Sequence, residues 1–204
     1  MNQDSTVSQP ALDEVDRARA QTYALLARLF CAPPDAALLR AIVDSDEPAA
    51  EATAAPLALA WNGLKQACAA SSDAAAREEY DSVFVGTGKA EVTLYHGAYV
   101  PHSEAGSYVV DLRAFLAAHG LARRDSVKEP EDHIAAVLEI MRHLIVEARA
   151  DIDEQKAFFN AYVWTGAAAV CDAICACAKL RLYHYVARYA RSFLELEHSA
   201  FEIG

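Results

Sequence analysis

The sequence is short of helix-breaking residues and short of positive charge. Of its 204 residues only 8 are glycine and 7 proline, so few positions force a turn or a stop. No stretch shows sustained alternation of apolar and polar residues, which leaves β-strands without a signature. Lysine and arginine number 18 against 29 aspartates and glutamates, a net charge of −11. That balance argues against nucleic acid as a partner and for a cationic ligand or peptide. Apolar runs stay too interrupted for stable membrane insertion; the nearest, 157–178, contains Asn160, Gly166 and Asp172,. The polar start, 1–10, has no apolar segment of the secretory kind,. Five cysteines is an odd number in a chain large enough to need no disulfide staples, so the expected compartment is the reducing cytoplasm.

What is present is apolar spacing of three and four. Hydrophobic residues make up 54% of the chain, enough for a substantial core. After a loose tail at 1–11, helical patterns run from Asp13 to Cys31, where Pro33-Pro34 forces a stop, and from Asp35 through Val43,. Pro56 opens another helix, and Asp73 caps one that ends near Gly86,. Between Gly86 and Ser107 the texture turns irregular, with Tyr95, His96, Tyr99 and His102 among glycines; long loops of this kind often carry function. A helix resumes near Glu104 or Ser107 and stops at Gly120. Later helices follow Pro130 and Asp153, with a break or kink expected at Trp164 and Gly166, then an Ala- and Cys-rich helix and a last one from about Leu182. The fold class is all-α: a globular bundle of about eight to nine helices.

Four constellations bear on chemistry. Gly86-Thr87-Gly88-Lys89 fails as a phosphate loop, because Val83 stands in the first glycine position and Ala90 where a magnesium-binding hydroxyl belongs,. Cys171, Cys175 and Cys177 with His184 have helical rather than zinc-turn spacing, and pack better as small apolar residues than as metal ligands. Glu195 and His198 share the i, i+3 spacing of di-iron bundles but lack the second copy such sites need,. Asp132 and His133 are a candidate acid–base pair, which gives the alternative reading of a helical metal-dependent enzyme or hydrolase. Adjacent helical residues diverge by about 100°, however, so no direct dyad is implied.

The stretch Lys128-Glu129-Pro130-Glu131-Asp132-His133-Ile134 stands out. Proline suits the first position of a helix, which puts Glu131 and Asp132 in the first turn near the positive end of the dipole. Ile134, Val137, Leu138, Met141, Leu144 and Ile145 continue one apolar stripe, with His133 at its edge,. Taken locally this is a capped helix start. Taken with the rest of the chain it is more. Glu129-Pro130-Glu131-Asp132-His133 matches the E-P-x-D-H signature of the TorD/DmsD family of redox-enzyme maturation chaperones. Upstream, Glu79-Tyr80-x-x-x-Phe84-x-Gly86 followed by Tyr95, Pro101 and Ser103 resembles that family's second signature, and Arg19, Tyr23, Leu26, Leu29 and Phe30 resemble its first helix. Gln155, Phe158, Phe159 and Trp164 resemble a late one, although the histidine frequent before that tryptophan is missing.

The resemblance implies a protein that is not an enzyme and needs no cofactor. It would bind the twin-arginine signal peptide of a molybdenum oxidoreductase and hold the apo-enzyme until the cofactor is inserted, before Tat export. It implies two helical lobes, about 12–120 and 129–204, joined by a hinge at 121–128, in a monomer or a domain-swapped dimer. The residues expected to bind the peptide are Asp132 and His133 lining a groove, Glu129 and Pro130 shaping its entrance, and Tyr80, Phe84, Tyr95 and Pro101 forming its apolar wall. Carboxylates complement paired guanidinium groups, and a helical groove suits an apolar segment.

Overall fold

The computed structural model describes residues 12–45, 55–86, 88–100, 105–121 and 130–203. Among these it contains nine α-helices and no strand: α1 (Glu14–Cys31), α2 (Ala36–Asp44), α3 (Ala55–Ala69), α4 (Asp73–Tyr80), α5 (Ala105–Ala118), α6 (Ile134–His143), α7 (Ile152–Phe158), α8 (Thr165–Ala176) and α9 (Leu182–Ile203). The first two begin where the sequence says. Asp13 accepts from the Asp16 amide and Asp35 from the Leu38 amide, each satisfying an orphan donor of the first turn.

Two starts move by one or two residues. Ser72, not Asp73, caps α4 by accepting from the Ala75 amide, and Asp151, not Asp153, caps α7 by accepting from the Glu154 amide. In each case the residue with extended backbone takes the cap and the expected one falls inside the first turn, where its charge still favours the dipole. The start of α6 moves further. Pro130 to Asp132 form a turn ahead of the helix, and His133 is the cap, its Nδ1 accepting from the Ala135 amide.

The break or kink expected at Trp164 and Gly166 takes the form of a wide turn within continuous helix. Phe159–Trp164 is π-helical and joins α7 to α8; similar turns extend α4 (Asp81–Val85) and α6 (Leu144–Ala148). The run Ile152–Ala176 is long and apolar enough to cross a membrane by composition, and half of its most apolar window is buried inside the bundle.

The core is one cluster built around α1, α6 and α9. Helix α1 packs on α6, α3 on α9, and α8 on α9. Helices from either side of the 122–129 segment thus interleave, while the hinge expected at 121–128 lies, from residue 122 on, outside the described residues. Tyr23, Leu26, Leu29, Phe30, Leu138, Met141, Phe158, Phe159 and Tyr183 are fully buried. Each large apolar side chain so enclosed contributes about 1.5–3 kcal/mol against exposure.

Two polar knots tie the helices together, and both use residues that carried the resemblance. Arg19 donates from Nε and Nη2 to the two oxygens of Glu197 at 2.8 and 2.9 Å, while its Nη1 reaches Gln155 and Asp16. Tyr23 donates its hydroxyl to the same Glu197 at 2.9 Å. Burial, then Glu197, pushes the Tyr23 hydroxyl far above its ordinary range. In the second knot Glu79 accepts from the backbone amides of Leu182 and Tyr183 at 3.1 and 2.7 Å, capping α9 from another helix. Tyr80 and Tyr183 donate to the last carbonyls of α1, those of Phe30, Cys31 and Leu29. One short helix thereby satisfies orphan groups at the end of α1 and the start of α9.

Candidate functional site

The site is a junction between two short segments that are far apart in sequence. Residues 94–96 and 132–134 pair as an isolated antiparallel bridge, Tyr95 opposite His133. The His96 amide donates to the Asp132 carbonyl at 2.9 Å and the Ile134 amide to the Leu94 carbonyl at 2.8 Å. Asp132 adds a side-chain bond: its Oδ2 accepts from the Gly97 amide at 3.1 Å. A Cβ at Gly97 would stand 2.9 Å from that oxygen, so the close approach of carboxylate and backbone needs glycine there. The bridge explains why α6 starts late, since the backbone of Asp132 and Ile134 is committed to it.

Asp132 and His133 are therefore buried, at 7% and 6% exposure. Their ring and carboxylate each meet a backbone amide rather than one another, so the acid–base dyad is not assembled. Accepting at Nδ1 fixes the proton of a neutral His133 on Nε2. What reaches the surface beside them is Pro130, Glu131 and Tyr95. Tyr95 is 36% exposed, and its ring meets His133 edge-on at 5.2 Å. Glu131 accepts from Nε and Nη2 of Arg113 on α5, at 3.3 and 3.0 Å, both on Oε2. Glu131, and at longer range Asp132, raise the guanidinium of Arg113 above its already high range.

Beneath the junction lies a residue that the sequence marks only as part of an irregular loop. His96 is fully buried. Its Nδ1 lies 3.1 Å from the Tyr108 hydroxyl and 3.1 Å from the Tyr162 carbonyl, and Tyr108 itself donates to that carbonyl at 2.9 Å. Because a carbonyl only accepts, the proton of His96 belongs on Nδ1. Nε2 is then a bare acceptor, and it is buried with no hydrogen-bond partner among the described residues. Burial holds this imidazole down at about 4, so it is neutral. Tyr162 belongs to the π-helical turn, a geometry that disturbs the regular i→i−4 ladder. The loop of the site is thus bonded directly into the α7–α8 bend.

The other expected wall residues lie elsewhere. Tyr80 and Phe84 are buried against Tyr183, with ring centroids 5.6 and 5.0 Å from it. They belong to the interior knot at the end of α1, not to an exposed wall. Glu129 and Pro101 fall outside the described residues. Cys171 is buried and its thiol pushed up by burial, as is that of Cys175. Cys177 instead donates to Glu91. Glu195 pairs with Arg191, whereas His198 stacks on Trp164 at 4.3 Å. Among the described residues no three metal-ligating side chains come together.

Against this geometry the comparisons are specific. Residues 50–172, more than half of the chain, match the family described as nitrate reductase delta subunit. The chain belongs to the nitrate reductase delta subunit family. It is also 32% identical over 80 residues to a protein of Photobacterium profundum named chaperone protein TorD. That match covers 38% of this chain and 37% of the relative, so the chain spans little over a third of the curated relative it matches. The delta-subunit match includes the whole junction from Leu94 to Ile134 and the α7–α8 bend, up to Asp172.

Proposed function

We propose that this delta-subunit family member is a chaperone and not an enzyme. In this reading it acts in the cytoplasm, binding the twin-arginine signal peptide of a molybdenum oxidoreductase. It holds the apo-enzyme until the molybdenum cofactor is inserted and export can begin. The name of the Photobacterium relative supports the chaperone role, and the E-P-x-D-H stretch supports the client class.

The observation that carries the site is the exposed ring of Tyr95 held edge-on to His133, across the bridge from the turn that carries Glu131 and Asp132. An apolar surface beside paired acids is the complement of an arginine pair followed by an apolar segment. Asp132 and His133 build this corner from beneath; Glu131, Tyr95 and Pro130 meet the peptide. Tyr80 and Phe84 support the fold behind it.

Calorimetric titration tests this with a synthetic peptide carrying Arg-Arg ahead of an apolar stretch. Tyr95→Ala should weaken binding by about 1–3 kcal/mol with its melting temperature nearly unchanged. Equal affinities would remove the peptide from this corner.

A further inference from the structure

Three helix ends meet around a notch that the fold leaves open. Its walls are Val15 and Asp16 at the start of α1, Ile152 at the start of α7 and Ala200 near the end of α9. Its floor is the Arg19–Glu197 pair, with the guanidinium 5.4 Å from the centre of the Phe201 ring. The notch holds about 210 Å³, below the roughly 300–1,000 Å³ of small-molecule pockets, so it suits an anchoring side chain rather than a metabolite. Val15 is 68% exposed and Ile152 55%. Ile203, one turn beyond Ala200 on the same side of α9, is 88% exposed,. Single apolar residues on a surface need no account, but large ones gathered around one notch mark a contact surface.

The rim is acidic and its charge is unanswered. Glu14 precedes Val15, Asp153 follows Ile152 and Glu202 follows Phe201, and all three are exposed. None of them enters an ion pair or a side-chain hydrogen bond among the described residues. Elsewhere the exposed acids are matched: Glu139 and Glu147 with Arg142, Glu195 with Arg191, Glu91 with Lys179. Arg17, the cation next to Asp16, is turned to the Leu12 carbonyl. Glu14 and Asp153 also suit the starts of their helices, but Glu202 does not suit its place. It stands in the last turn of α9, where the dipole favours cations and no basic residue is present,.

We propose that this notch docks a basic segment of a partner protein, with one large apolar side chain seated between Val15 and Ile152 and flanking lysines or arginines meeting Glu14, Asp153 and Glu202. A second copy of the chain is a poor occupant, because it would bring the same acidic rim against itself, and like charges across an interface are costly. A membrane surface carrying anionic lipids is repelled for the same reason. Residues 1–11 have Asp4 as their only charged side chain and supply no cation. The notch is also separate from the Tyr95 corner. That corner lies at the start of α6, whereas Ile152 follows the far end of the helical run 134–148, on the order of 20 Å along the axis. Docking here therefore does not depend on the reading of the corner.

The probe is a fluorescein-labelled peptide, Lys-Lys-Leu-Lys-Lys, followed by fluorescence anisotropy at low and moderate salt, with Lys-Lys-Ser-Lys-Lys as the version lacking the anchor. The proteins are the wild type, Val15→Ser with Ile152→Ser, the neutralised triple variant Glu14→Gln, Asp153→Asn and Glu202→Gln, and Tyr95→Ala, each shown to be folded by its melting temperature. The serine peptide should bind the wild type about tenfold more weakly, the worth of one buried leucine. The two-serine variant should lose a similar factor for the leucine peptide. The neutralised variant should lose about 2–5-fold at low salt and less at moderate salt. Equal affinities for the two peptides overturn the proposal, because attraction would then be general charge without an anchor. Wild-type affinity in both notch variants overturns it, and a loss confined to Tyr95→Ala assigns the peptide to the corner instead. No binding by the folded wild type overturns it as well. So does a dimer, seen by sedimentation, that the two-serine variant dissolves, since the notch would then hold a second copy.

Discussion

Gly166 and His96 touch where a side chain would not fit. A Cβ built on Gly166 would lie 2.5 Å from the ring of His96, so the first full turn of α8 owes its packing to the missing methyl. In an exposed helix Gly→Ala stabilises by roughly 0.5–1 kcal/mol. Here the sign should reverse: Gly166→Ala should destabilise by about 1–3 kcal/mol, the usual cost of overpacking a core. Thermal unfolding decides it, and a raised melting temperature would show that His96 can move aside freely.

The all-α class, most helix positions and the first two caps were legible, because each rests on neighbours in sequence: apolar spacing for α1 and α6, and an acidic residue just before α1 and α2. The junction was not legible. Three-residue segments at 94–96 and 132–134 are too short to show alternation, and their pairing is set by tertiary contact. Trp164 and Gly166 suggest a break or a kink, and what stands there is a π-helical turn at Phe159–Trp164 within continuous helix; the glycine answers to His96, which sequence spacing cannot reveal. Asp132 and His133 were found by motif, but their burial was not, since that follows from the bridge. Arg113 and Glu131, 18 residues apart, look like ordinary surface charges until the turn brings them together.

Glu197 should be the most costly single acid to remove. Its side chain and that of Arg19 are both largely buried, and Tyr23 shares the carboxylate. Glu197→Ala leaves a buried guanidinium uncompensated and should cost roughly 3–5 kcal/mol in urea unfolding. Glu197→Gln, which keeps one acceptor oxygen but not the charge, should cost less. Equal, small effects from both would mean that solvent reaches Arg19.

The Glu79–Tyr80 knot predicts stability effects without binding effects. Tyr80→Phe removes the hydroxyl that meets the carbonyls of Phe30 and Cys31, and should lower stability by about 0.5–1.5 kcal/mol. Glu79→Ala removes the acceptor for two amides of α9 and should cost about 1–2 kcal/mol. Affinity for the Arg-Arg peptide, measured on folded protein, should stay level in both. A clear loss of affinity in Tyr80→Phe would return that residue to the binding surface.

Two histidines should bend the pH profile of stability in opposite senses. His96 titrates at about 4 in the folded protein because it is buried, against about 6.5 in an unfolded chain. The unfolded state therefore binds more protons between those values, and stability should fall as pH drops from about 6.5 towards 4. His119 has the reverse sign. The Phe115 carbonyl, then Glu154, raise its pKa, so its contribution is complete below about 6.5 and is lost as pH rises through the folded value. Melting temperature against pH should lose part of its alkaline decline in His119→Gln. His96→Gln should melt lower overall but with a shallower acid limb. Limbs parallel to the wild type in both variants would remove these residues as the cause.

The sharpest test concerns Asp132 and His133, because the geometry separates their two jobs. His133 caps α6 through the Ala135 amide, so His133→Ala should cost about 0.5–2 kcal/mol of stability. Asp132 holds the Gly97 amide at 3.1 Å. Asparagine keeps an oxygen for that bond and nearly the same shape, so Asp132→Asn should fold with little loss. If Asp132 serves only the turn, peptide affinity will also survive. If its charge, together with that of Glu131, draws the arginine pair, affinity should fall by roughly tenfold, about the worth of one charge-assisted hydrogen bond. Wild-type binding should weaken as salt rises, and a Lys-Lys peptide should bind less well than Arg-Arg. Titration of the three proteins with both peptides at two salt concentrations separates the outcomes. Affinity that is the same in wild type and Asp132→Asn, and indifferent to salt, would leave Asp132 as a structural pin and move the arginine recognition to other carboxylates.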